Sequence, residues 1–420
     1  MVFLAAVGVQ SLEVRACADR YAAGGFRAGA FMVALSEGVK AQVSAALDKK
    51  DYNKAVDILE QAYSEDSFDD ELKRLLAMAH MARGWAMVDA GDLDAALGDF
   101  RKAKLVEPEK QAATYMSLGY VSFCRKNFDD ALDYLYEAVY LDPRDGQSHE
   151  LIGQIYYERG RLRDAISEWQ TAEEARPGDQ QIKDLLGRAR KELGVEKDFT
   201  KRETYYFTIK YEGEENRQLG DRVLDIMNQA YSDVSGDLGY YPNEPINVIL
   251  YTRRQFVDLT GAPSWSGGVF DGNIRIPVGG NNIDPTTLAA VLHHEYTHAV
   301  VHMMVGHALP TWLDEGIAEY EEHWARKSKV RLRTDALLPL SSLSGSFMGI
   351  GDSAGAEQAY AESLSAVSFY IDRFGMYSLT RLLRLMGEGK GLSDAMEVAA
   401  GVTLKEFDDL WQGSVRSGAS

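Results

Sequence analysis

Between residues 84 and 177 five positions recur in three successive units, and this internal period constrains the chain more than any single motif in it. Gly84, Gly119 and Gly153 stand 35 and 34 residues apart. Twelve residues after each comes an alanine (Ala96, Ala131, Ala165), and sixteen after each a large apolar residue (Phe100, Leu135, Trp169). A second alanine follows at nineteen (Ala103, Ala138, Ala172) and a proline at twenty-four (Pro108, Pro143, Pro177). A unit of this length cannot bury its own apolar face and must stack on its neighbours. Each unit reads as two helices: small residues let the pair approach, the large residue fills the gap, and proline ends the second helix. A weaker unit precedes the three. Asp51-Tyr52-Asn53-Lys54-Ala55-Val56 matches Asn127-Phe128-Asp129-Asp130-Ala131-Leu132, with Leu59 and Ala62 at the large and small positions.

This pattern resembles the tetratricopeptide repeat. The resemblance implies an α-helical solenoid over residues 38–197, whose concave groove would take a peptide or a protein partner. A structural spacer or a dimerisation surface is the alternative use of the same array. Tyr115, Tyr120, Tyr156 and Tyr157 read as repeat core or groove lining.

After Leu193-Gly194-Val195 the period stops and a different patterning begins. Thr204–Tyr211 alternates as a strand, a helical stretch follows around Leu219–Val234, and Ile246–Tyr251 reads as a second strand behind Pro245. Gly268–Ile276 contains Asp271-Gly272 and reads as a hairpin, so a small mixed sheet precedes the next helix. That helix is well delimited. Asp284 can cap it, Pro285 suits its first turn, Leu288, Val291, Leu292, Ala299 and Met303 run along it, and Gly306 can end it.

Within it stands His294-Glu295-Tyr296-Thr297-His298. Histidines four apart share one helical face, so both imidazoles can reach one metal ion. Glu295 can then lean toward an attacking water and serve as general base. The bare pattern is a weak signal, but six of the eight histidines fall between His293 and His323, and the motif lies on a helix delimited by independent capping signals. A catalytic zinc needs a third protein ligand and an open fourth position. The metzincin route would require Gly at 301 and His at 304, where this chain has Val301 and Met304. The other route is a glutamate from a following helix, which Trp312-Leu313-Asp314-Glu315-Gly316-Ile317-Ala318-Glu319-Tyr320 supplies.

Here the chain resembles the gluzincin metallopeptidases, in their thermolysin-like, aminopeptidase and minimal peptidase-MA-like branches. The resemblance implies an α+β zincin-like domain over residues 203–412, with a small N-terminal sheet, a helical C-terminal half and one zinc ion. It implies Glu315, seventeen residues beyond His298, as the third ligand. It implies a carboxylate further along that helix to orient a metal-binding histidine, with Glu319 favoured over Glu322. It also implies Tyr360, in Gln358-Ala359-Tyr360-Ala361, as a donor to the oxyanion of the tetrahedral intermediate; packing with Phe369 and Tyr370 is the other reading. His302 reads as a group outside the ligand set rather than a replacement for Glu315.

The formal charge of −19 argues against a nucleic-acid partner. No apolar run reaches the 18 residues or so that a membrane span requires. Residues 1–37 are expected to form an N-terminal segment, a weak signal or a helix, since Met1–Val7 is apolar without the basic region of a secretory signal. Residues 413–420 are expected to form a flexible tail. The resemblance implies a bacterial cell-envelope setting, which this N-terminus does not support, and the cytoplasm remains the alternative. The reading is a zinc metallopeptidase, more simply an endopeptidase because no G-x-M-E-N segment precedes the metal helix, with the repeats recruiting a substrate or partner. Its rivals are a non-catalytic repeat scaffold and a zinc hydrolase of non-peptide amides.

Overall fold

The computed structural model describes residues 37–417 apart from 108, 214–215, 264–265, 279–283, 307–308, 327–331, 333–336, 346 and 348–352. The expectation for the N-terminal segment lies outside the described residues, as does the repeat proline Pro108. The described chain divides into two compact units, one of residues 37–157 and 163–186, the other of 158–162 and 187–417.

The repeats form helix pairs: α1 (Glu37–Asp48) with α2 (Tyr52–Glu65), α3 (Asp70–Asp89) with α4 (Leu93–Val106), α5 (Ala112–Cys124) with α6 (Phe128–Leu141), and α7 (Gly146–Glu158) with α8 (Leu162–Ala175), followed by α9 (Gln180–Glu196). The turn inside each pair is built alike. Lys50, Gly91, Lys126 and Gly160 adopt positive φ, at 55°, 82°, 58° and 66°. In the first three pairs the next residue, Asp51, Asp92 or Asn127, accepts the N–H of Lys54, Ala95 or Asp130 and so caps the second helix. A Cβ at Gly84, Gly119 or Gly153 would lie 2.5, 2.6 or 2.5 Å from the side chain of Phe100, Leu135 or Trp169. The sixteen-residue spacing in the sequence is therefore one physical contact, repeated three times, with the large residue fully buried each time.

The second unit is built on a five-stranded mixed sheet. Its strands are β1 (Phe199–Glu203), β2 (Phe207–Glu212), β3 (Ile246–Thr252), β4 (Val269–Phe270) and β5 (Ile274–Val278), in the order β1-β2-β3-β5-β4. β2, β3 and β5 run parallel, and β1 and β4 pair antiparallel at the two edges. Strand alternation sorts the faces. Phe207, Ile209, Tyr211, Val248, Leu250, Ile274 and Ile276 join the large core made with α10 (Arg217–Leu238), α12 (Pro285–Val305) and the helices that follow. The opposite face carries Lys210, Ile249, Tyr251 and Arg275.

On that face α11 (Arg253–Thr260) covers an apolar patch of Ile249, Tyr251, Phe256 and Val269. Beside it the charged groups are buried in pairs. Arg275 reaches Glu192 at 3.2 Å and Asp271 at 3.0 Å, and Lys210 reaches Glu196 at 3.1 Å. Glu192 and Glu196 stand in the last turns of α9. The Arg275 charge holds the Asp271 carboxyl below its ordinary range although burial opposes this.

The chain closes with α13 (Thr311–Arg326), α14 (Ser353–Phe374), α15 (Met376–Gly387), α16 (Leu392–Ala400) and α17 (Leu404–Ser417). The last helix continues past residue 412, where a flexible tail was expected, because Val415 still faces the core. Among the described residues no helix is long and apolar enough to cross a membrane.

Removing one member of a buried ion pair leaves its partners uncompensated, which costs about 3–5 kcal/mol. Arg275→Ala should therefore lower the unfolding free energy of the full chain by about that amount, measured by denaturant titration.

Candidate metal centre

Helix α12 begins and ends as its capping residues dictate. Asp284 accepts the N–H of Thr287, Pro285 occupies the first turn, and Gly306 closes the helix at φ +72°. From Leu292 to Val301 every residue is buried. A helix enclosed on all sides carries its polar residues into the interior, so His294, Glu295 and His298 are at most 1% exposed.

α13 packs against α12 and brings Glu315, 2% exposed, to face both histidines. Glu315 Oε2 lies 3.4 Å from His294 Nε2 and 3.6 Å from His298 Nε2. These are ion-pair separations, and none of the three atoms has a hydrogen-bond partner. One ligand atom from each residue lies within 4.8 Å of the others. Three orphaned buried atoms, two imidazole nitrogens and one carboxylate oxygen, match in type and number the protein ligands that a catalytic zinc uses when its fourth position is left open. The residues present therefore fit the ion.

The outer ring nitrogens show why the inner ones converge. His294 Nδ1 is 3.0 Å from Glu322 Oε2, and His298 Nδ1 is 3.0 Å from Asp314 Oδ1. An ionised carboxylate only accepts, so each Nδ1 carries the proton and each Nε2 turns inward. The histidine-orienting position expected for Glu319 is thus taken by Glu322, one turn further along α13. Glu319 lies beside this pair, with a carboxylate oxygen within 4.8 Å of both. The choice depends on the rotation of α13 about its axis, which spacing does not encode. Asp314 was not singled out from the sequence; its one signal was its place directly before Glu315. Its second oxygen meets His302 Nε2 at 3.1 Å, and His298, His302 and Asp314 form a second group whose ligand atoms lie within 4.8 Å of one another.

Gly316 sets the neighbouring helix. A Cβ there would lie 2.5 Å from the Ser363 carbonyl oxygen and 2.6 Å from Val367 Cγ2. Backbone contact between α13 and α14 places Tyr360, one turn before Ser363, where Glu315, Glu319 and Glu295 act on it. Burial and these carboxylates push its phenol far up, so it keeps its proton. Tyr360 also packs edge-on against Phe347, at 5.3 Å between ring centroids.

The charges of these buried groups set one another. Burial drives the His294 imidazolium down, but Glu315 and Glu322 together raise it to about 10. Burial opposes the His298 charge as well, and Asp314 and Glu315 lift it well above the usual range. Burial would raise Glu315, and the two imidazoles hold it low. Glu295 differs: neither of its oxygens has a hydrogen-bond partner, and burial raises its carboxyl to about 7 against the pull of the two histidines.

Residues 227–417 match the Peptidase MA superfamily, and residues 81–146 and 125–181 match the tetratricopeptide repeat. The chain thus carries tetratricopeptide repeats followed by a Peptidase MA superfamily domain. Among solved structures it is similar to MamA, at 18% identity over 39% of this chain and 88% of that one, with a TM-score of 0.31. It is also similar to YrrB, a TPR protein with an unusual peptide-binding site, at 19% identity over 36% of this chain and 74% of that one, with a TM-score of 0.30. No curated protein matches the sequence.

A metal ion bound by His294 and His298 would displace the protons that their raised pKa values hold there, so zinc affinity should rise with pH from 6 toward the His294 value of about 10. Calorimetry in buffers of different ionisation enthalpy should show protons released on binding at pH 7. Asp314→Asn and Glu322→Gln should each weaken zinc binding by about 10–100-fold in competition with a chelating dye.

Proposed function

We propose that this protein is a zinc-dependent metallopeptidase, probed most directly as an endopeptidase, whose repeats bring a protein substrate or partner to it. One observation carries the reading: three orphaned ligand atoms converge between α12 and α13, with an unpartnered carboxylate, Glu295, in the same buried site. His294, His298 and Glu315 would hold the ion. When bound, zinc supplies Lewis acidity, polarising a scissile carbonyl and acidifying water.

The remaining work falls to side chains of this chain. Glu295 takes the proton of the attacking water and passes it to the leaving amine, a task suited to a carboxyl near pKa 7. Tyr360, held protonated, donates to the developing oxyanion. Edge strand β4 pairs on one side with β5, and its other side is the place for an extended substrate to add as a strand. An intact general base at the centre favours turnover over a purely binding role for the domain.

The test combines elemental analysis with cleavage of casein or a peptide library. Wild type should bind about one zinc per chain, and the His294→Ala, His298→Ala double variant should bind none. Glu295→Gln should keep the metal and lose cleavage, and Tyr360→Phe should lower kcat by about 10²–10³. Zinc without peptide cleavage would overturn the peptidase reading in favour of a scaffold or of a non-peptide amide substrate. No zinc after reconstitution would leave only the scaffold.

A further inference from the structure

Gly268 stands just before edge strand β4, and its backbone does not require glycine, since its φ is outside the left-handed region. What it requires is space. A Cβ at this position would lie 2.6 Å from Glu295 Oε1, 2.8 Å from Glu295 Cγ and 3.0 Å from Glu295 Cδ. The segment leading to it is held on several sides. The Ser266 N–H donates to the Pro263 carbonyl at 2.9 Å, the Ser266 hydroxyl donates to the Gly268 carbonyl at 2.7 Å, and Arg253 donates through Nη1 to the Ser266 carbonyl.

Glu295, by contrast, has no hydrogen bond on either oxygen. No hydrogen bond fixes its carboxylate against the pull of the two histidines, and the bare Cα of Gly268 is one wall of its packing. A methyl group here would stand on an anchored backbone and meet Glu295 from Cγ to Oε1, a side chain with no hydrogen bond to hold it, so the side chain gives way. Carbon and oxygen atoms rest about 3.5–4 Å apart, so the carboxylate would move by about 1 Å. A shift of that size in a reacting group costs on the order of 10²-fold in rate.

We propose that Gly268 is a positioning residue, whose missing side chain sets where the Glu295 carboxylate sits in the centre. The inference rests on the reading of Glu295 as general base only for its effect on rate; its structural claim stands apart from it. Gly316 provides the contrast. There the obstacle to a Cβ is the Ser363 carbonyl in a packed helix, which cannot swing aside, so a substitution strikes the fold rather than the chemistry.

The experiment compares full-length wild type, Gly268→Ala, Glu295→Asp and the double variant. Gly268→Ala should fold with a melting temperature near that of wild type and bind zinc in the same amount. Its crystal structure without metal should show the Glu295 carboxylate displaced by about 1 Å or more. Its kcat should fall about 100-fold with KM changed less than about 3-fold. In the Glu295→Asp background, where the shorter side chain has already withdrawn, adding Gly268→Ala should change kcat less than about 3-fold.

A carboxylate found in its wild-type place, an unchanged kcat, full additivity in the double variant, or failure of Gly268→Ala to fold would each overturn the proposal. If wild type cleaves no peptide, the base reading fails by itself, and the displacement in the crystal structure still decides whether Gly268 positions the side chain.

Discussion

Two packed helices that bury two imidazoles and four carboxylates set the terms for the rest of the second unit. His294, Glu295 and His298 on α12 face Asp314, Glu315 and Glu322 on α13, none more than 7% exposed. Desolvating a charge costs several kcal/mol unless a partner of opposite sign is placed against it. Five of the six groups meet that condition. Glu322 and Asp314 each take the outer nitrogen of one histidine, and Glu315 lies opposite the inner nitrogens of both. Glu295 is the exception in having no hydrogen bond on either oxygen, and burial outweighs the pull of the two histidines to raise its carboxyl to about 7. Atoms left without a hydrogen bond in this buried network, both oxygens of Glu295 and the inner atoms of His294, His298 and Glu315, are where local stability has yielded to another demand.

Close approach of backbone supplies the geometry. In the solenoid, Gly84, Gly119 and Gly153 each receive the large side chain of the partner helix; in the second unit, Gly316 receives the backbone of α14. The energetic reason is shared: a missing Cβ brings helices nearer and lets a neighbour fill the gap at interior density. The consequences differ with the neighbour. A ring or a leucine side chain completes a repeat core, whereas the α14 backbone carries Tyr360 to the edge of the charged centre.

These contacts also explain what was legible in the sequence. The repeat was readable because its glycine and its large residue are one contact at fixed spacing. The limits of α12 were readable because capping by Asp284, Pro285 and Gly306 is local chemistry. Strand β1 was not, since Phe199–Glu203 is a charged edge strand whose residues are half-buried or exposed, leaving no apolar alternation to find. α11 escaped notice although Thr252 and Gln255 form a capping box, because an eight-residue helix has little periodicity to show. Glu319 and Glu322 lie three apart on one side of α13, and only packing against α12 separates their roles. Asp314 belongs to the same class: its value comes from where α13 sits, which the order of residues does not state.

The chain of polar contacts from the centre outward has an end, and where it ends is informative. His298 passes its outer N–H to Asp314, an acceptor that the two neighbouring histidines hold ionised despite burial. The second oxygen of Asp314 would be left bare in the interior but for His302, one turn along α12 from His298. The side chain of His302 is 22% exposed and lies edge-on to Phe270 of the edge strand β4, at 5.7 Å between ring centroids. Each buried group thus satisfies the one inside it and is satisfied by the one outside, until the chain meets water beside the strand proposed to receive substrate. The histidine that looks redundant in the sequence is the step at which the network can stop without leaving an orphan.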